Sequence, residues 1–214
     1  MNKVFVVVLI FFLGLTLLVN YSRPASSRGL SEEDYIEKVM NELGYPKSGP
    51  GSSAVGVLGR LFLPVKNFYR NQDMNPFGTF NKGTFNGFHT GADVEVDVEN
   101  LDKDVAVYAI YGGVVEEVEF ASGYGGLVTV KHKIGSKTFL GIYGHLRLRD
   151  VKVKPGQSVV GGNLIGYLGA GYSSETDGER KHLHLGIHRG SAVNIRGYVQ
   201  SQTELSGWLD FADY

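Results

Sequence analysis

The sequence predicts a mainly β protein: antiparallel strands folded into a sandwich or barrel-like domain, preceded by an N-terminal membrane helix and one short helix. Three observations point there. Thirty glycines and six prolines cut the 214 residues into short runs, which suits strands better than long helices. Within those runs apolar and polar residues alternate, the period of a half-buried strand. The 43% hydrophobic content is enough for one core and little for a second large one.

Taken in order, Val4 to Val19 is apolar apart from Gly14 and Thr16 and follows Lys3. It reads as a membrane anchor or a signal segment over 1–22, and the anchor is preferred because no small-x-small cleavage site follows. Ser31 to Leu43 reads as a helix: Ser31 caps it, Glu32, Glu33 and Asp34 favour its positive end, and Gly44 and Pro46 stop it. Tyr45 to Gly59 reads as a linker, so 23–59 is a short helix plus linker and the compact domain spans 60–214. In that domain Val105 to Tyr111 and Val114 to Phe120 flank Gly112-Gly113, a hairpin signal. A second pair, Leu127 to Ile134 and Lys137 to Tyr143, flanks Gly135-Ser136. Shorter strands are expected at Val151 to Val153, Ser158 to Val160 and Leu164 to Leu168, before the strand of Lys181-His182-Leu183-His184-Leu185.

That last strand carries the chemistry. Alternation puts His182 and His184 on one face, about 7 Å apart, while Leu183, Leu185 and Ile187 anchor the other face. Imidazole is the commonest neutral metal ligand and a proton carrier near neutral pH. With no cysteine in the chain, a metal must be held by nitrogen and oxygen. His89-x-x-x-Asp93 is a plausible ligand pair, read as a loop entering the strand Val94 to Val98, and Tyr143-Gly144-His145-Leu146 lies between it and the paired histidines. Gathered together, these stretches would make a zinc site with spare bases beside it. His132 reads as a partly buried structural histidine, and His188 as lying past the metal's reach. Asp97, Glu99, Asp102 and Asp104 read as a solvated acidic loop. The net charge of −1 gives no sign of nucleic-acid binding.

The order His89-Thr90-Gly91-Ala92-Asp93, Tyr143-Gly144-His145-Leu146, His182-Leu183-His184 resembles that of the lysostaphin-like (LytM-type) zinc metalloendopeptidases of peptidoglycan. The likeness covers roughly Leu61 to Arg189 and includes Gly123-Tyr124-Gly125-Gly126 and Val153-Lys154-Pro155-Gly156-Gln157-Ser158-Val159. It implies a β fold of the duplicated hybrid motif type, with Zn2+ as cofactor and His89, Asp93 and His184 as its ligands. It further implies His145 and His182 as the flanking proton-transfer histidines, and zinc-activated water attacking peptide bonds of peptidoglycan stem peptides or cross-bridges. Placed at the envelope face of the cell membrane by its anchor, such an enzyme would meet its substrate there. Tyr143, on the strand face of His145, is a candidate to reach the oxyanion. The segment Ala170 to Lys181 is longer and more charged than the family's usual turn, so Arg180 or Lys181 is expected to favour a carboxylate-bearing peptide. A non-catalytic envelope-binding or regulatory protein of the same fold would be marked by a lost ligand, and none is lost. A carrier-type barrel would need a modifiable lysine at a hairpin tip, and no lysine has that setting.

Overall fold

The computed structural model describes residues 61–66, 68, 75–83 and 85–213. The expected anchor over 1–22, the helix from Ser31 to Leu43 and the linker lie outside the described residues. Among the described residues no helix is long and apolar enough to cross a membrane.

The chain forms twelve strands and one short α-helix among the described residues. In order they are β1 (Phe80–Asn81), β2 (Gly87–His89), β3 (Gly91–Glu95), β4 (Ala106–Tyr108), β5 (Gly113–Ala121), β6 (Gly125–Ile134) and β7 (Lys137–Leu146). There follow β8 (Ser158–Val159), β9 (Leu164–Tyr167), β10 (His182–Arg189), β11 (Tyr198–Val199), α1 (Gln202–Leu205) and β12 (Trp208–Leu209). The main sheet runs β12-β10-β7-β6-β5-β8, with β3 also on β10. A three-stranded sheet, β1-β2-β11, and the pair β4-β9 complete the fold. All pairings are antiparallel, as the alternation implied, but the described strands leave the sheets open and close no barrel.

Both faces of the main sheet are covered. Val128, Val130, Tyr143, Leu183 and Leu185 enter one apolar cluster, and their strand neighbours Leu127, Leu140 and Ile142 enter another with Trp208 and Leu205. Burying Leu183 and Leu185 is worth about 2 kcal/mol each. A slip of one residue in β10 would carry both leucines to the wrong face and take His182 and His184 with it, so the core sets the register of the site.

The hairpin at Gly135 forms as read, with Ile134 opposite Lys137 and Gly135 at φ 60°. The one at Gly112-Gly113 does not: β4 pairs with β9, and β5 pairs with β6 and β8. Neither glycine adopts the positive φ that a two-residue hairpin demands. Gly113 answers a different need, since a Cβ there would lie 2.4 Å from the Lys131 carbonyl oxygen on the neighbouring strand. Val151 to Val153 is also not a strand; Val153 is buried in the core from an extended loop.

His132 is fully enclosed, with Nδ1 3.2 Å from the Gly112 carbonyl oxygen and Nε2 3.5 Å from the Tyr143 hydroxyl. Burial pushes its imidazole from the ordinary 6.5 down to about 4. Between these two values the unfolded chain takes up a proton that the folded chain refuses, so stability falls as pH drops and levels off below about 4. The loss amounts to about 3 kcal/mol at most. His132→Gln should flatten that acid-side decline, measured as urea midpoints from pH 7 to 4. An identical decline in both proteins would assign it to other groups.

Candidate metal centre

Two strands of the main sheet and one of the small sheet supply the candidate metal ligands. In the β3–β10 ladder, Asp93 lies directly opposite His184 and Glu95 opposite His182, so all four side chains leave the same face. Ala92 and Val94 take the other face into the core. The expected loop before Asp93 is thus a strand in its own right, starting at Gly91. His89 arrives from the end of β2, in the small sheet.

His89 Nε2, Asp93 Oδ1 and His184 Nδ1 converge. Their separations are 3.1 Å between the imidazoles, 3.1 Å from His184 to Asp93 and 3.4 Å from His89 to Asp93. Tetrahedral bonds of about 2.1 Å place ligand atoms about 3.4 Å apart. The three residues form a buried group able to hold a metal ion.

The outer partners leave lone pairs facing inward. His89 Nδ1 donates to the Asn75 carbonyl oxygen at 3.1 Å, so Nε2 carries the lone pair. His184 Nε2 lies 3.5 Å from the Tyr124 hydroxyl, leaving Nδ1 toward Asp93. His182 Nδ1 donates to the Arg180 carbonyl oxygen at 2.9 Å, and its Nε2 stands 3.5 Å from Asp93 Oδ1. Three nitrogen lone pairs around one carboxylate oxygen repel unless a cation sits among them, so the donor set fits zinc. Burial raises the Asp93 carboxyl; where the same nitrogens carry protons in place of a metal, hydrogen bonds from His182, His184 and His89 outweigh it and hold the group well below the usual carboxylate range. Burial lowers the His184 imidazole.

His145 reaches the site by a bulge. Between Gly126 and Val128, two steps along β6 oppose three along β7, from Leu146 to Tyr143. His145 absorbs the extra residue at φ 63°, a left-handed conformation uncommon for a side chain of its size. Its ring lies 4.2 Å, centroid to centroid, from that of His182. Burial first, then His182 and His184, pushes it down to about 3, which keeps the imidazole neutral.

Tyr143 does not follow it. Opposite Leu185 in the ladder, Tyr143 faces the core, fully buried, and its hydroxyl accepts a hydrogen bond from the Ile110 amide at 3.0 Å. The bulge is the reason: it turns His145 to the site face and leaves Tyr143 on the core face. A hydroxyl does approach the site, but from Tyr124, whose ring fills the space beside Gly144; a Cβ on Gly144 would lie 2.4 Å from it. The Gly123-Tyr124-Gly125-Gly126 stretch was the signal for this residue.

The charged segment before β10 is tied to the fold by its own side chains. Arg180 turns inward, with Nη2 2.5 Å from Glu95 Oε1 and 3.4 Å from Asp93 Oδ2. The Lys181 ammonium donates to the main-chain oxygens of Leu101 at 3.0 Å and Lys103 at 2.5 Å. Lys181 is therefore committed inside the protein on carbonyl groups of the acidic loop, while Arg180, paired with Glu95, keeps part of its side chain exposed. Glu175 pairs with Arg149, and Asp177 accepts the Gly123 amide at 2.7 Å. A capping box at Ser173 and Thr176 completes a built loop. His188 stands apart, near Asn194 at 3.2 Å and against the Trp208 ring.

A comparison with curated proteins gives no match. Among solved structures the chain is similar to the catalytic domain of the antimicrobial peptidase lysostaphin from Staphylococcus simulans. Identity is 22% over 67% of this chain and 90% of that one, with a TM-score of 0.49. It is also similar to a zinc-containing peptidase from Vibrio cholerae, at 24% identity over 62% of this chain and 37% of that one, TM-score 0.45. For Csd3 of Helicobacter pylori the values are 24%, 61%, 30% and 0.43. The pattern of Peptidase family M23 matches residues 87–195, just over half of the sequence and the stretch that holds every histidine of the site. The motif order and this match agree, and the chain belongs to Peptidase family M23.

Proposed function

We propose that the protein is a membrane-anchored zinc metalloendopeptidase that hydrolyses peptide bonds in peptidoglycan stem peptides or cross-bridges. The observation that carries this reading is the convergence of His89, Asp93 and His184, with their lone pairs aimed at one point and two further histidines alongside. His89, Asp93 and His184 would hold zinc there, and its chemistry would be that of a Lewis acid polarising a carbonyl and lowering the pKa of a water toward about 7. Two imidazoles and one carboxylate leave the ion a net positive charge. His182, fixed by the Arg180 carbonyl, presents Nε2 as a proton acceptor beside Asp93. His145, neutral and packed on His182, completes a pair that can accept a proton from the nucleophile and return one to the leaving amine. The apolar run from Val4 to Val19 fits an anchor that presents the 60–214 domain to the cell envelope, where such a substrate lies.

The test is zinc analysis of the purified protein together with digestion of intact peptidoglycan sacculi, the fragments read by mass spectrometry. Stoichiometric zinc and new peptide termini are expected. Zinc-loaded protein that leaves sacculi uncut would favour a non-catalytic role in the envelope.

A further inference from the structure

We infer that Asn75 is the positioning residue of the metal centre, fixing Asp93 as a one-oxygen ligand while setting the orientation of His89. The inference rests on the zinc reading above and extends it to a residue outside the motifs.

Asn75 contacts two of the three candidate ligands, Asp93 with both its main-chain and side-chain ends and His89 with its main-chain oxygen. Its main-chain oxygen receives the Asp93 amide at 3.2 Å and His89 Nδ1 at 3.1 Å, which uses both lone pairs of one carbonyl. Its side-chain Nδ2 donates to Asp93 Oδ2 at 2.9 Å and reaches the Tyr198 hydroxyl at 3.1 Å, using both amide hydrogens. Asp93 Oδ1, by contrast, faces His89, His182 and His184. The two carboxylate oxygens therefore have separate tasks, one turned to the metal position and one tied down behind it. Arg180 also approaches Oδ2, but at 3.4 Å and with its stronger contacts on Glu95. The neutral amide holds Oδ2 without placing a full charge beside the cation.

An outer-sphere partner of this kind is worth about 10–100-fold in metal affinity. The main-chain bonds survive any substitution, so a side-chain change isolates the amide. Asn75→Ala and the closer-shaped Asn75→Leu are made in the full chain, and zinc affinity is measured by competition with a chromophoric chelator. Cobalt(II) is substituted for zinc in parallel and its visible d–d bands recorded. The expected result is weakening of zinc by about 10–100-fold in both variants. The cobalt absorption should lose intensity as the released Oδ2 swings in and coordination expands from four to five. A role in loop packing alone would not move that spectrum. If the alanine variant fails to fold, the leucine variant decides. Zinc affinity within about threefold of the parent with an unchanged cobalt spectrum overturns the inference, as does a larger loss in Arg180→Ala than in Asn75→Leu. A parent protein that binds no zinc overturns the zinc reading itself and this inference with it.

Discussion

Asp93→Ala should strip the protein of zinc and abolish peptide hydrolysis, whereas His145→Ala should retain the metal and lose only turnover. Asp93 is the one anionic donor in the site, and its Oδ1 lies within 3.5 Å of three imidazole nitrogens. Without it a cation would rest on neutral ligands in a buried setting. The affinity loss should therefore exceed the roughly 10–100-fold typical of an outer-sphere change. His145 contacts His182 and contributes no atom to the converging group. Its removal should cost about 10²–10⁴-fold in rate, the usual range for a general acid or base. Zinc content and hydrolysis measured on the same preparations separate the two roles. Equal zinc loss in both variants would mean that His145 is a ligand and that the assignment is wrong.

Gly91→Ala should damage fold and site together. A Cβ at this position would lie 2.6 Å from the Leu185 carbonyl oxygen and 2.7 Å from His184 Nε2. Neither neighbour is a flexible side-chain end: one is backbone of the central strand, the other a ring held in the ligand cluster. Relief requires β3 to part from β10 or His184 to rotate off its aim. Overpacking of this kind costs about 1–3 kcal/mol, read as a lower urea midpoint, and zinc affinity should fall with it. A variant matching the parent in both measurements would show that the strands part freely here.

The sequence made the site legible where strict alternation held. His182 and His184 sit on one face, with Leu183 and Leu185 on the other, because β10 is a regular strand. His89 and Asp93 were readable as a pair through their spacing, although the chain passes between two sheets within those five residues. Alternation misled at Tyr143, since the bulge at His145 shifts the phase of β7 and no residue type announces a bulge with a histidine at positive φ. It misled again at Gly112-Gly113, where glycine serves close approach of strands rather than a turn. The partners that Arg180 and Lys181 find within the fold, Glu95 and the carbonyls of residues 101 and 103, are distant in sequence and were not legible from it. Asn75 was invisible for the same reason: its contacts with His89 and Asp93 depend on how the segment before β1 folds back, which local pattern does not encode.

The central strand also bears on how quickly metal can be acquired. One edge of β10 is bonded to β7 from His184 to Arg189, and the other is shared end to end by β3 and then β12. Amides from His184 to Ile187 should therefore be among the slowest to exchange with deuterated solvent, opening only when the whole sheet opens. Two of the three candidate ligands belong to this ladder, so their spacing is set before any ion arrives. Small zinc domains that fold only around their metal behave differently. Here uptake should follow simple second-order kinetics, with a rate proportional to zinc concentration, and demetallation by chelator should leave the circular dichroism of the sheet in place.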